Sequence, residues 1–377
     1  MYIHVPFCTT RCGYCDFNTY TANELGAGVS RATYADSVIA ELGLARRVLA
    51  AAGDVPAAST VFVGGGTPTL LEPVALGRMV DAVGRLFGLL PDAEVTTEAN
   101  PDSVDARSLE GLRAAGFTRI SFGMQSAVPH VLETLDRTHT PGRVADAVTW
   151  ARSAGFEQVS LDLIYGTPGE SPQDWQRSLD AALALGPDHI SAYALIVEPG
   201  TRMAARVARG ELPAPEDDEL ADAYLAADEV LGRHGFDWYE VSNWAVDAKA
   251  QCRHNLGYWR GDDWWGAGPG AHSHVSGTRW WNVKHPAAYA ARIVGGDSPA
   301  QAREILNSAQ RTAEQILLST RLASGCSLAT LSARGRSAAA TLAADGLLDP
   351  EPLAQDRAVL TLRGRLLADA VVRELVD

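Results

Sequence analysis

Two consecutive stretches, QVSLDLIYG (158–166) and SPQDWQRSLDAALALG (171–186), decide the fold. The first is short and apolar, carries β-branched Val159 and Ile164, and stops at a glycine, as a buried strand does. The second is amphipathic, opens on Ser171 and closes on Gly186, two residue types that cap helices. A strand followed at once by a helix is one βα unit.

The same alternation runs outward in both directions. Strand-like runs stand at YIHV (2–5), STVFVGGG (59–66), EVTTEAN (94–100), RISFGMQ (119–125) and HISAYAL (189–195). Amphipathic segments such as YADSVIAELGLARRVLAA (34–51) lie between them. The expected fold is therefore α/β, a partial (β/α) barrel of about six units; closure by eight units is not evident. In such a barrel chemistry sits where strands end, and Gly64–Gly66, Glu98, Gln125 and Asp162 each close a predicted strand.

The texture changes near residue 236. Seven of the nine tryptophans fall between Trp238 and Trp281. Beyond about residue 305 come helical patterns, SAQRTAEQILLSTRLASG (308–325) and SAAATLAADG (337–346), then a strand-like AVLTLRG (358–364) and a last helix, RLLADAVVRELV (365–376). We expect three parts: a barrel over 1–235, a Trp-rich connecting segment over 236–300, and a smaller C-terminal domain over 301–377, mostly helical and winged-helix-like. SAAATLAADG offers no Lys or Arg to phosphates, and the chain's net charge is −14, so nucleic acid is not an expected partner. No uncharged apolar run is long enough to span a bilayer, so no transmembrane segment is expected. The start, MYIHVPFC, lacks the basic and apolar regions of a signal peptide. It lies so close to the first strand that either the start is compact or an extension before it is missing. Five cysteines without an export signal point to a reducing, cytoplasmic setting with thiols free for metal.

Three of those cysteines, Cys8, Cys12 and Cys15, sit in CTTRCGYCDFN (8–18), spaced C-x3-C-x2-C on the loop after the first strand. Structural zinc sites pair two such knuckles or add histidines, and iron–sulfur clusters usually take four thiolates. Three thiolates leave one iron open to an outside ligand. A rival zinc set, Cys252, His254, His272 and His274, is also conceivable from its C-x-H and H-x-H spacing. Cys326, at a helix boundary, reads as a buried small hydrophobe, and His4 as a packed or loop residue.

With Tyr14 and GGGTPT (64–69), the C-x3-C-x2-C loop resembles the radical S-adenosylmethionine (SAM) superfamily. The blocks TEANP, SFGMQS, LDRTH and DLIYGTPGE are similar to its coproporphyrinogen-dehydrogenase-like branch. The resemblance implies a [4Fe–4S] cluster on Cys8, Cys12 and Cys15, with SAM chelating the open iron, where one electron can cleave it. It further implies SAM contacts at Tyr2, Tyr14, Gly65, Gly66, Thr67, Glu98, Gln125, Arg137, Asp162, Ala194 and His272, whether SAM is cleaved there or only bound. A carboxylate can take ribose hydroxyls and Arg137 a carboxylate.

Two families share this framework, a coproporphyrinogen III dehydrogenase and a haem chaperone. The dehydrogenase pattern continues C-x-x-C-x-C, but position 17 is Phe, and the dehydrogenase carries a long arm before the first strand. HNLGYW (254–259) is similar to the H-N-x-x-Y-W block of the chaperone branch. The resemblance therefore implies haem binding and transfer to unidentified haem-acceptor proteins, with an electron donor as a further partner. His254 is the expected haem ligand and Cys252 its rival. A third possibility is a cluster-bearing electron-transfer or regulatory module.

Overall fold

The computed structural model describes residues 1–26, 29–53 and 55–376. Nine strands form one sheet: β1 (Tyr2–Val5), β2 (Ala58–Gly65), β3 (Leu89–Ala99), β4 (Arg119–Gln125), β5 (Gln158–Tyr165), β6 (His189–Ala194), β7 (Asp237–Glu240), β8 (Asn243–Ala245) and β9 (Gly266–Ala267). Their order is β7-β8-β6-β5-β4-β3-β2-β1-β9. Strands β1 to β6 are parallel and each lies beside its sequence neighbour. That is the six-unit partial barrel expected from the sequence. β7 and β8 extend one edge in antiparallel fashion, and β9 extends the other in parallel to β1.

The crossovers carry helices α1 (Arg31–Ala52), α2 (Pro73–Phe87), α3 (Ala106–Ala114), α4 (Pro129–Thr134), α5 (Pro141–Ser153) and α6 (Pro172–Ala184). α6 shows why they form where they do. Ser171 Oγ accepts from the Asp174 N–H while Asp174 accepts from the Ser171 N–H, and Pro172 presets the first turn. Trp175, Leu179 and Ala182, on one face, are buried against the sheet. β4, RISFGMQ, is buried at all seven positions, as a strand covered on both faces must be. α7 (Arg202–Ala208), α8 (Asp217–Arg233) and α9 (Arg253–Arg260) follow, with α9 packed against β2. A small sheet comprises β10 (His272–Val275), β11 (Thr278–Asn282) and β12 (Ala300–Ile305).

The C-terminal region is mainly helical, as expected, with its own core of Ile316, Leu342, Leu348, Leu360, Val371 and Leu375. Two local expectations need correction. AVLTLRG is strand-like only in its first half: Ala358 pairs with Cys326 and Leu360 bridges Leu348 in antiparallel fashion, while Leu362–Leu366 is helical. The last helix is divided, with Leu367 out of helical conformation between Leu362–Leu366 and Ala368–Leu375. The segment is too short for alternation to separate a strand from a helical turn, and Thr361 caps the turn by accepting from the Gly364 N–H.

Candidate functional site

The cysteine loop is fixed by the backbone around it. The Cys8 N–H donates to Tyr20 O at 3.0 Å and the Tyr20 N–H to Pro6 O at 2.7 Å, closing the loop at its base. Farther out, the Gly13 N–H donates to Leu135 O at 3.2 Å, and Gly13 O accepts from the Met203 N–H at 2.8 Å. GGGTPT clamps the start: the Gly66 N–H reaches Val5 O and the Thr67 N–H reaches Phe7 O, both at 2.7 Å. A Cβ on Gly66 would stand 2.5 Å from Phe7 O and 3.1 Å from Cys8 Sγ. Glycine is required there for close backbone approach.

Cys8, Cys12 and Cys15 are half-buried and line one cavity of about 900 Å³. Tyr2, Tyr14, Gly65, Gly66, Thr67, Glu98, Gln125, Arg137, Asp162 and Ala194 line the same cavity; most come from the C-terminal ends of the parallel strands and the loops beyond them, Tyr2 from the start of β1 and Asp162 from the middle of β5. His272 lies apart, in an adjoining cavity whose wall includes Tyr2, Gly65 and Glu98. Cys252 and His254 line the far side of the cysteine cavity, on α9.

Charge in the cavity is arranged around buried groups. The Gly65 N–H donates to Glu98 Oε2 at 2.9 Å, while burial and nearby Asp162 push the Glu98 carboxyl up to about 8. Asp162 accepts from Ser121 Oγ at 3.0 Å; burial raises it too. Arg137 donates to Gly123 O at 3.1 Å and sets Nη1 at 3.5 Å from Cys12 Sγ. Burial raises the Cys8 thiol and pushes the Cys15 thiol up to about 11. Gln125 and Asp136 hold left-handed backbone (φ 62° and 53°) on the cavity wall, a strain that concentrates at functional positions. Arg119 was not singled out from the sequence. It is 2 % exposed at the cavity floor, with Nη1 donating to Ala250 O at 2.6 Å. Its signal was a charge opening an otherwise apolar strand.

The cysteine set suits a cluster better than a lone ion. Among the described residues no three His, Cys, Asp or Glu side chains close around one metal point. A single zinc needs all its sulfurs about 2.3 Å from one center, whereas a cluster's ligands are spread over different irons. The rival set of Cys252, His254, His272 and His274 does not converge either. His272 stacks on Trp281 and His274 lies against Trp264.

His254 is placed unlike the expected haem ligand. Nδ1 is 2.8 Å from Thr60 Oγ1, and Nε2 is 2.9 Å from the Tyr258 hydroxyl. The ring stacks on Phe62 at 5.1 Å and is 4 % exposed. Both nitrogens are engaged, so this arrangement presents no free lone pair to an iron. Cys252 is no better placed: its Sγ faces Glu94 Oε1 at 3.7 Å, and burial raises its thiol far above the usual range. Thr60 and Glu94 reach α9 from strands some 160 to 190 residues earlier.

A family model described as the Radical SAM superfamily matches residues 2–182. The haem chaperone HemW of Mycobacterium tuberculosis is 56% identical over 376 residues, covering 100% of this chain and 94% of the relative. HemW of Bacillus subtilis is 35% identical over 327 residues, covering 86% of this chain and 84% of the relative. Among solved structures, coproporphyrinogen III oxidase (HemN) from Escherichia coli matches with a TM-score of 0.82 at 22% identity, over 100% of this chain and 89% of that one. At that identity HemN shares the fold. The full-length similarity at 56% settles the family: the chain belongs to the haem chaperone HemW family of radical SAM proteins.

Proposed function

We propose that the protein binds haem and transfers it to acceptor proteins, and that it carries a [4Fe–4S] cluster on Cys8, Cys12 and Cys15 with SAM at the open iron. The observation that carries the cluster reading is the convergence of three half-buried sulfurs on a cavity shared with the glycine cradle. When bound, such a cluster supplies an attachment point for SAM and a store for one electron. The chain's own contribution is positional. Gly65 and Gly66 give the ligand bare backbone, Glu98 and Asp162 offer carboxyl oxygens to hydroxyls, and Arg137 offers a guanidinium beside Cys12. Tyr2, Tyr14, Thr67, Gln125 and Ala194 complete the walls.

The haem reading rests on the HemW relatives and on Phe17, which stands where the dehydrogenase pattern has a further cysteine and offers no thiol. Acceptor proteins and an electron donor are the proposed partners. No helix of the described residues is long and apolar enough to cross a membrane. A cytoplasmic setting is proposed from the five free cysteines. The division into 1–235, 236–300 and 301–377 is kept as a proposal, supported at its C-terminal end by the separate apolar core. Anaerobic reconstitution followed by haemin titration tests the function: a saturable Soret band is expected, and its absence would remove the haem reading.

A further inference from the structure

The cavity next to the cysteines has about 1230 Å³ of space, enough for a large ligand. It shares Tyr2, Cys15, Phe17, Gly65, Glu98 and Tyr258 with the cysteine cavity, so the two adjoin along these residues. Trp264, Trp281 and Tyr20 give it aromatic surface, and Phe17, 58 % exposed, stands at the shared boundary. Of its acidic residues, Glu304 and Glu314 are both taken by Arg279, Glu24 lies 3.8 Å from Arg11, Glu98 accepts from the Gly65 N–H, and Asp16 is exposed. Lys284 lines the cavity and has no ion pair among the described residues. Aromatic walls with one uncommitted cation suit a flat, apolar ligand with an anionic edge.

Histidines decide where an iron at the center of such a ligand would be held. His4 is engaged at both nitrogens, by Tyr2 and Asn18, as His254 is by Thr60 and Tyr258. His285 uses Nδ1 to accept from the Ala287 N–H. His274 is 8 % exposed, with Nδ1 3.4 Å from Asp262 O and Nε2 buried without a hydrogen-bond partner among the described residues. His272 differs from all four. Its ring is exposed to the cavity, stacks on Trp281 at 5.8 Å, and has no hydrogen-bond partner at either nitrogen among the described residues. Only its backbone is used, with Trp264 Nε1 donating to His272 O at 3.1 Å.

We propose that haem sits in this second cavity, with its iron bound by His272 and a propionate facing Lys284, next to the cluster site along Tyr2, Gly65 and Glu98. This rests on the haem-binding reading above and replaces both His254 as iron ligand and His272 as a SAM contact.

The test is a haemin titration of the cluster-loaded protein and of three variants, H272A, H272C and H254A, each checked for fold by circular dichroism and for retained cluster absorbance. H272A should lose the wild-type Soret position and bind about tenfold more weakly or worse, with added imidazole restoring the spectrum. H272C should give a thiolate-type Soret band, a signature that a merely structural role for His272 would not produce. Folded H254A should keep the wild-type spectrum. A wild-type Soret position and affinity in H272A, or a histidine-type band in H272C, would overturn the assignment while leaving haem binding intact. No haem binding by the wild type would instead overturn the function on which the assignment rests.

Discussion

Cys252 lines the same cavity as Cys8, Cys12 and Cys15, yet its sulfur is committed to Glu94 and its side chain is buried. Alanine at any of the three loop cysteines should therefore abolish the broad visible absorbance of the reconstituted cluster. C252A should keep that absorbance and lose about 1 kcal/mol of stability, the scale of a small buried truncation. Equal loss of absorbance in C252A would show that the ligand set is wrong. His254 gives a second expectation. H254A removes two hydrogen bonds and a stacked ring, so thermal denaturation should show a cost of about 3 kcal/mol. An unchanged melting temperature would mean that the Thr60 and Tyr258 contacts do not hold the ring. The cysteine spacing could be read from the chain because its ligands are local. The engagement of His254 could not, because its partners Thr60 and Glu94 belong to remote strands.

Strand β2 and its glycine run show how an element positions chemistry. β2 lies beside β1, and its C-terminal glycines meet the backbone that leads into the cysteine loop. G66A would force Phe7 O and Cys8 Sγ away from the new Cβ. The expected result is a stability loss of about 1–3 kcal/mol together with lower iron content after reconstitution; full iron loading with unchanged stability would contradict the cradle. Five of the six parallel strands were legible as short, largely apolar runs bounded by turn residues, whereas β3 starts at Leu89, five residues before the expected EVTTEAN. RISFGMQ and YIHV coincide with β4 and β1 to the residue. β7, β8 and β9 were not legible: four, three and two residues long, they are made by pairing to the sheet edges rather than by any pattern of their own. AVLTLRG was legible in part: Ala358 and Leu360 pair, while Thr361 caps a helical turn over its end.

The whole molecule joins distant parts through buried polar groups that no local pattern pairs. Glu41 of α1 accepts from the Gly268 N–H, Asn282 Nδ2 and the Tyr289 hydroxyl, tying the β9–β11 region to the barrel's first helix. Burial pushes its carboxyl from the usual 4.5 up to about 7. A folded-state pKa above the unfolded one means that this group's stabilisation is full below about pH 4.5 and is lost as pH rises through about 7. Chemical denaturation across that window should therefore show a flatter pH dependence in E41Q than in the wild type; identical slopes would mean that Glu41 does not titrate in the folded protein. At the other end, Arg365 of the C-terminal region pairs with Asp228 of α8 at 2.7 Å and covers the Trp238 ring at 4.4 Å.

On the proposed function, a radical SAM barrel binds haem rather than decarboxylating a porphyrinogen. The measurement that meets it directly gives one anaerobic preparation, loaded with iron, sulfide and SAM, haemin in one cuvette and coproporphyrinogen III with a reductant in another. The account predicts a saturable Soret band in the first and no protoporphyrinogen IX in the second. Protoporphyrinogen IX formation over many turnovers, with no haem bound, would contradict it.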